Sequence, residues 1–265
     1  MTRRQRTIAI SVSATAAALA LAVGLIVALT GSSAPAPAAS PSPAQLLSPF
    51  TGEPVAALGP VLAMKIDNVK DARPPTGLRS ADIIYALPVE GGLSRLMAVF
   101  SSRVPPVIGP VRSAREDDLE LLRQFGRPAF GYSGATPHLL PFVHRARIVD
   151  LYAGIAGGYF RDPGRAAPHN LYARSATLLA EARGASDARD IGFRFGPLPA
   201  GGRAVSSFSV SYPAASFTFR WSAPDKRWLV WMDGKPSTAV EGLPSIHTSQ
   251  RLSGADQRKV NDAAG

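Results

Sequence analysis

The residues best suited to chemistry in this sequence are arginines and acids that stand beside glycine and proline turns. Four arginines have such a place: Arg73, Arg95, Arg112 and Arg115. A guanidinium group binds phosphate or carboxylate through two parallel hydrogen bonds. If the turns bring these four side chains together, they form a binding site for an anionic ligand.

Arg112 and Arg115 flank the expected start of a helix. Ser113 and Glu116 have the spacing of a capping box, in which a serine and a glutamate three residues later satisfy the first backbone N–H groups. The N-terminus of a helix favours an anion, although the acidic residues that open this helix already offset its dipole. The alternative is that both arginines form structural ion pairs with carboxylates from other turns: Asp67, Asp82 or Glu90.

Asp67 and Glu90 are expected at strand ends, where two carboxylates could hold a hard metal ion or act as acid and base. Because a carboxylate beside several arginines more often forms a salt bridge, we predict no metal and no cofactor.

His169 and Asn170 lie in Gly154–Tyr172, which is so rich in glycine and proline that it predicts a long functional loop without regular structure. His169 could be a general base or bind a ligand oxygen, or it could only fix the loop by a hydrogen bond.

Hydrophobic periodicity predicts the strands and helices that carry these residues. The pattern predicts an α+β fold, a mixed sheet with flanking helices, followed by a smaller antiparallel β region. Gly91-Gly92 predicts a tight connection between the second and third strands. The predicted strands before residue 190 are Val61–Ile66, Ile83–Val89, Leu96–Ser101, Ala129–Tyr132 and Ile148–Leu151. The predicted helices begin at Ser113, Thr136 and Ser175.

Composition divides the chain into five parts. They are a signal-anchor segment (1–30), a linker rich in proline, alanine and serine (31–49), an α/β domain (50–190), an antiparallel β region (191–241) and a polar tail expected to be disordered (242–265).

The N-terminal segment predicts a membrane location. Arg3, Arg4 and Arg6 precede Ile8–Thr30, which has no charged residue and is long enough to span a bilayer. The basic end stays inside, so we expect a single-pass protein of the cell membrane with its C-terminal domain outside. Small residues follow this segment, so it remains open whether the segment is cleaved and the domain secreted. The net charge of +10 favours anionic partners, but export argues against nucleic acid.

Several motifs in order resemble the YerB-like family, bacterial proteins that are described as lipoproteins and are built on a domain of unknown function. The motifs are Ser48–Gly52, Met64–Asn68, Ala72–Pro74, Ala81–Tyr85, Val89–Gly92, Ile108–Arg115 and Pro168–Tyr172. The resemblance implies a mixed α and β fold and an extracytoplasmic location, but no established activity. The chain departs from the family in two ways: it has no cysteine to carry a lipid, and it lacks valine-rich strands after Gly242.

We therefore expect a membrane-anchored extracytoplasmic domain that binds an anionic ligand of the cell envelope. The four arginines would hold the anion, and Asp67, Glu90, His169 and Asn170 would orient it. A second hypothesis is an envelope enzyme for phosphoryl or glycosyl transfer, with Asp67, Glu90 and His169 as its reactive groups. A third is a scaffold for protein partners at the membrane, in which the arginines are purely structural.

Overall fold

The computed structural model describes residues 45–196, 201 and 204–238. Its strands are β1 (Leu62–Asp67), β2 (Ile83–Pro88), β3 (Ser94–Phe100), β4 (Val107–Ile108), β5 (Ala129–Tyr132), β6 (Val149–Tyr152), β7 (Tyr159–Arg161), β8 (Leu171–Arg174), β9 (Ser207–Tyr212), β10 (Ala215–Ser222), β11 (Arg227–Met232) and β12 (Lys235–Pro236). The helices are α1 (Glu116–Leu122), α2 (Leu140–Arg145) and α3 (Ser175–Glu181), and a short 3₁₀ turn lies at Glu90–Gly92.

The central sheet has five strands in the order β2-β3-β1-β5-β6. β3 pairs antiparallel with both β1 and β2, whereas β5 pairs parallel with both β1 and β6. The sheet is therefore mixed, and the predicted α+β fold is confirmed. The hairpin predicted at Gly91-Gly92 is also confirmed, since β2 and β3 are joined there.

β1 is buried along its whole length because both of its faces are covered. Leu62, Met64 and Ile66 join one hydrophobic cluster, which includes residues of the C-terminal sheet. Ala63 faces a second cluster, which includes residues of α1 and the turn after it. Burying a side chain the size of leucine or methionine stabilises the fold by about 1.5–3 kcal/mol. Because β1 is buried, its polar residues need partners inside the protein.

Two smaller sheets complete the described fold. The antiparallel region predicted after residue 190 is confirmed as a four-stranded sheet in the order β12-β11-β10-β9. A three-stranded sheet has the order β4-β8-β7. β7 and the start of β8 lie inside Gly154–Tyr172, so the prediction that this stretch lacks regular structure is wrong. Pairing with β4, which is distant in sequence, supplies hydrogen bonds that local composition does not reveal.

β1 and β5 separate from each other at the carboxyl end of β1. β1 pairs with β5 only as far as Met64 and Gly131. Beyond this point the segment Pro110–Ser113 lies between the two strands. Arg112 N–H donates to the Lys65 carbonyl at 2.8 Å, and Ser133 N–H donates to the Arg112 carbonyl at 3.0 Å. This opening positions the site described below.

The predicted signal-anchor (1–30), most of the linker (31–44) and the polar tail (242–265) lie outside the described residues. Within the described ranges, no helix has both the length and the apolar character needed to span a bilayer.

Candidate functional site

Asp67 at the end of β1 and Arg95 at the start of β3 are directly opposite each other in the sheet. Opposed residues of an antiparallel pair project from the same face. Both are buried, with 1% of Asp67 and 8% of Arg95 exposed. Apolar residues are expected at buried positions of these strands. The burial of a charged group at both positions therefore needs a specific explanation.

Lys65, two residues before Asp67 on the same face, forms a fully buried ion pair with Asp118 of α1. Nζ lies 2.6 Å from Oδ1, and neither side chain is exposed. Burial lowers the pKa of Lys65 and raises the pKa of Asp118, since each charge loses water. Asp118 also accepts a hydrogen bond from the backbone N–H of Arg115 at 2.7 Å. The pair thus joins β1 to the first turn of α1.

The start of α1 differs from the predicted start. The N-cap is Arg115, and Asp118 supplies the acceptor that was expected from a Ser113–Glu116 capping box. Ser113 instead places its hydroxyl 3.4 Å from that of Ser133. α1 has seven residues and opens with three acids, which offset the positive end of its dipole.

Arg115 and Glu90 form a two-point ion pair. Nε lies 2.7 Å from Oε1, and Nη2 donates to Oε2 at 3.0 Å. The hydrogen bond from Arg115 is the main cause that lowers the pKa of Glu90 below its usual range. The Glu90 side chain is 68% exposed. This is one of the structural ion pairs that the sequence left as an alternative.

Asp67 is shared by two further residues. Nε of Arg112 lies 3.1 Å from Oδ2, and Nδ1 of His169 lies 2.8 Å from the same oxygen. The side chains of Arg112 and His169 are partly exposed, whereas that of Asp67 is completely buried. Asp67 therefore holds Arg112 and His169 next to each other at the surface end of the opened sheet.

Arg95 differs from Arg112 and Arg115 because it has no ion pair among the described residues. Its Nε and Nη1 atoms are buried and have no hydrogen-bond partner there; the Nε atoms of Arg112 and Arg115 also have none, but each of those lies within ion-pair distance of a carboxylate. Burial is the main cause that lowers its pKa, followed by the nearby charges of Arg115 and Arg112, while Asp67 and Glu90 oppose the shift. Arg95 is opposite Asp67 in the sheet, and Asp67 pairs with Arg112. Arg115 pairs with Glu90 in the turn that leads into β3. We call Arg95, Arg112 and Arg115 the arginine cluster.

Arg73 and Asn170 have other partners. Arg73 donates to the Asn68 carbonyl at 2.7 Å and pairs with Asp233 at 2.8 Å, so it links the end of β1 to the turn between β11 and β12. Asn170 accepts a hydrogen bond from Arg161 at 2.6 Å. These contacts tie both residues to other parts of the chain, and ligand binding by Arg73 and Asn170 stays a prediction.

The loop that carries His169 is held by a residue that the sequence did not single out. Arg165 donates to the carbonyls of Ala72 and Pro74 at 3.0 and 2.6 Å. These bonds fix the loop against the chain that follows β1.

Sequence reasoning also missed Lys65 and Asp118. A lysine within the apolar run of β1 was the one available signal, because such a position predicts a buried partner.

The described residues contain no group of three or more histidines, aspartates or glutamates that could hold a metal ion. The structure brings Asp67 and His169 into contact, but Glu90 is bound to Arg115 instead of joining them. Among the described residues, no hydrogen bond or ion pair joins Glu90 to Asp67 or His169.

Comparison with known proteins identifies the family. A family model described as "Protein of unknown function (DUF3048) N-terminal domain" matches residues 50–189, which is more than half of the chain. The chain belongs to this family. The arginine cluster, Asp67 and His169 all lie within the matched range.

One curated relative is named "Putative lipoprotein YerB", from Bacillus subtilis (strain 168). It is 42% identical over 76 residues, which cover 27% of this chain and 23% of the relative. The alignment thus spans less than a quarter of that protein. The crystal structure of YerB protein from Bacillus subtilis matches with a TM-score of 0.62 and 23% identity, covering 74% of this chain and 70% of that one. This match shows a shared fold, and together with the family match it confirms the predicted YerB-like relationship.

Proposed function

We propose that this chain is a membrane-associated extracytoplasmic protein whose arginine cluster binds an anionic group of a cell-envelope ligand. The observation that carries the proposal is Arg95, whose buried Nε and Nη1 atoms have no hydrogen-bond partner within the described chain. Leaving a buried donor unsatisfied costs about 1–3 kcal/mol, and more for a charged group. A phosphate or carboxylate oxygen would satisfy these donors.

The charges at the site support the same proposal. Arg112 has Asp67 and Arg115 has Glu90 as a counter-charge, whereas Arg95 has no ion pair among the described residues. At a separation of 4 Å and an effective dielectric constant of 20, one pair of opposite charges gains about 4 kcal/mol. An anion beside Arg95 would also reduce its repulsion with the other two guanidinium groups.

The position in the fold agrees with a binding role. Asp67 ends β1, and β1, β5 and β6 run parallel. In open sheets with parallel strands, ligands commonly bind beyond the carboxyl ends of the strands. Arg95 reaches the same edge because β3 is antiparallel to β1 and begins there.

The membrane association rests on two observations. The Bacillus subtilis relative is named a lipoprotein, and this chain has an uncharged segment, Ile8–Thr30, behind three arginines. Since the chain contains no cysteine, we propose that this segment, and not a lipid, anchors it in the cell membrane. The domain would then lie outside the membrane, or be secreted if the segment is cleaved.

The proposal is tested by thermal unfolding of the full chain in detergent, with and without inorganic phosphate. Phosphate should raise the Tm of the native protein, because a ligand that binds only the folded state stabilises it. Arg95→Met should lose this response. Arg123→Ala is the matched control, since Arg123 is an exposed arginine of the same region whose ion pair among the described residues is with Glu120. Equal responses of all three proteins would refute the proposal.

The contact between Asp67 and His169 favours one further candidate, an enzyme. A carboxylate on Nδ1 orients an imidazole as a general base. In this form of the hypothesis water attacks the phosphorus of a phosphate ester, and Nε2 of His169 accepts a proton from that water. The bond from phosphorus to the ester oxygen breaks, and this oxygen leaves as the alcohol after taking a proton from solvent. Glu90 has no part in the reaction because Arg115 binds it. Release of phosphate from a phosphate ester, lost in His169→Gln, would test this candidate. The scaffold role with a protein partner remains a prediction.

A further inference from the structure

The chemistry of His169 restricts the ligand beyond its charge. A carboxylate can only accept hydrogen bonds. Nδ1 of His169, 2.8 Å from Oδ2 of Asp67, must therefore carry the proton that joins them. In a neutral imidazole the other ring nitrogen, Nε2, is then an acceptor. When His169 is neutral, Asp67 thus holds it with its acceptor nitrogen away from the carboxylate.

An acceptor in an anion site is unfavourable unless the ligand brings a proton to it. Arg112 and His169 contact the same oxygen of Asp67, so an anion bound by Arg112 and Arg95 lies beside the imidazole. An anionic oxygen would be repelled by the Nε2 lone pair. A hydroxyl group on the ligand would instead donate to it, as a hydroxyl also does to other acceptors.

We propose that the ligand combines an anionic group with a hydroxyl group one or two carbons away, and that this hydroxyl donates a hydrogen bond to Nε2 of His169. A phosphate ester of a polyol has this chemistry. The arginine cluster binds the phosphate, and the Asp67–His169 pair recognises the neighbouring hydroxyl. This inference rests on the proposed function, since it names the ligand class of the same site.

Two small molecules test it on the full chain in detergent, in mildly alkaline buffer. Glycerol 3-phosphate has a phosphate and neighbouring hydroxyls, while propyl phosphate has the same carbon chain without them. A neutral hydrogen bond contributes about 0.5–1.5 kcal/mol, so glycerol 3-phosphate should bind about two- to tenfold more tightly by calorimetry. Equal affinities would overturn this inference and leave the proposed function standing. If neither molecule binds, both fail.

Variants of His169 separate recognition from folding. His169→Phe should bind both molecules with the affinity of propyl phosphate, because the ring remains but the acceptor is lost. His169→Gln, whose side-chain oxygen can accept a hydrogen bond, should keep part of the preference. Arg123→Ala should keep all of it. A full preference in His169→Phe would contradict the inference, and retained propyl phosphate binding shows that the variant is folded.

The same chemistry occurs in free polyol phosphates and in the headgroup of phosphatidylglycerol. Vesicles with and without phosphatidylglycerol distinguish these sources. If the native chain but not Arg95→Met binds phosphatidylglycerol vesicles in preference to phosphatidylcholine vesicles, the lipid headgroup is the source. If only the soluble ester binds, the source is a free or polymeric polyol phosphate. Both results support the ligand class.

Discussion

Nδ1 of His169 lies 2.8 Å from Oδ2 of Asp67, although 102 positions separate the two residues in the chain. The contact joins the loop before β8 to the end of β1. It also brings His169 next to Arg112, which binds the same carboxylate oxygen. This single buried carboxylate therefore holds both a guanidinium group and an imidazole at the site that we propose binds the ligand.

Arg95→Met should stabilise the protein in buffer without phosphate. The substitution removes a buried, incompletely satisfied charge, whose cost is about 1–3 kcal/mol, and methionine adapts readily to an irregular buried space. Urea unfolding should show a higher free energy of unfolding than in the native chain, while Arg123→Met should show no change. A clear loss of stability in Arg95→Met would mean that Arg95 is satisfied in the folded protein.

Asp118→Ala should destabilise the fold strongly. Removing one partner of a buried ion pair typically costs about 3–5 kcal/mol, because Lys65 would keep an uncompensated buried charge. The variant also loses the acceptor for the Arg115 N–H at the start of α1. The double variant Lys65→Met/Asp118→Leu should recover most of the stability in urea unfolding. If the double variant were less stable than Asp118→Ala, the pair would not be the source of the loss.

Acid should weaken the ion pair between Arg115 and Glu90. The pKa of Glu90 is lowered in the folded protein, so the unfolded chain binds the proton more readily. The stability that Glu90 contributes is therefore present above its unfolded pKa and is lost as the pH falls through its folded pKa. Glu90→Gln should remove this acid-dependent part. Urea midpoints of the two proteins should differ above the unfolded pKa and converge in acid, and a constant difference at every pH would contradict this assignment.

Glu90→Gln should also strengthen phosphate binding. The change removes a negative charge close to the arginine cluster and leaves Arg115 without its counter-charge. The gain should be severalfold at low salt and should shrink as salt is added, because Glu90 is mostly exposed and screened. Calorimetric titration at two salt concentrations measures both effects. Weaker binding would show that Glu90 positions Arg115 for the ligand.

Arg165→Ala should loosen the loop that presents His169. The side chain donates two hydrogen bonds to the carbonyls of Ala72 and Pro74. Without them we expect a smaller preference for glycerol 3-phosphate over propyl phosphate, with propyl phosphate affinity retained. Arg183→Ala removes an exposed arginine after α3 and serves as control. An unchanged preference in Arg165→Ala would show that Arg165 does not position His169.

Much of the fold could be predicted because it depends on local pattern. Alternating apolar residues and the Gly91-Gly92 turn predict β2 and β3, and the structure pairs them as a hairpin. The start of α1 was misplaced by two residues, since either Ser113 or Arg115 can precede an acid three positions later. The structure selects Arg115 because Asp118 must also meet Lys65.

Local residue patterns were enough to place these charged residues at turns and strand ends, and the ion pairs of Arg112 and Arg115 were among the alternatives that they raised. The folded arrangement was needed to see that, within the arginine cluster, Arg95 has no ion pair among the described residues, and that Arg73 turns to Asp233 while Asp67 holds His169. The reason is physical: turn and strand preferences act over a few neighbouring residues, whereas the energy of a buried charge depends on groups that folding brings from distant parts of the chain.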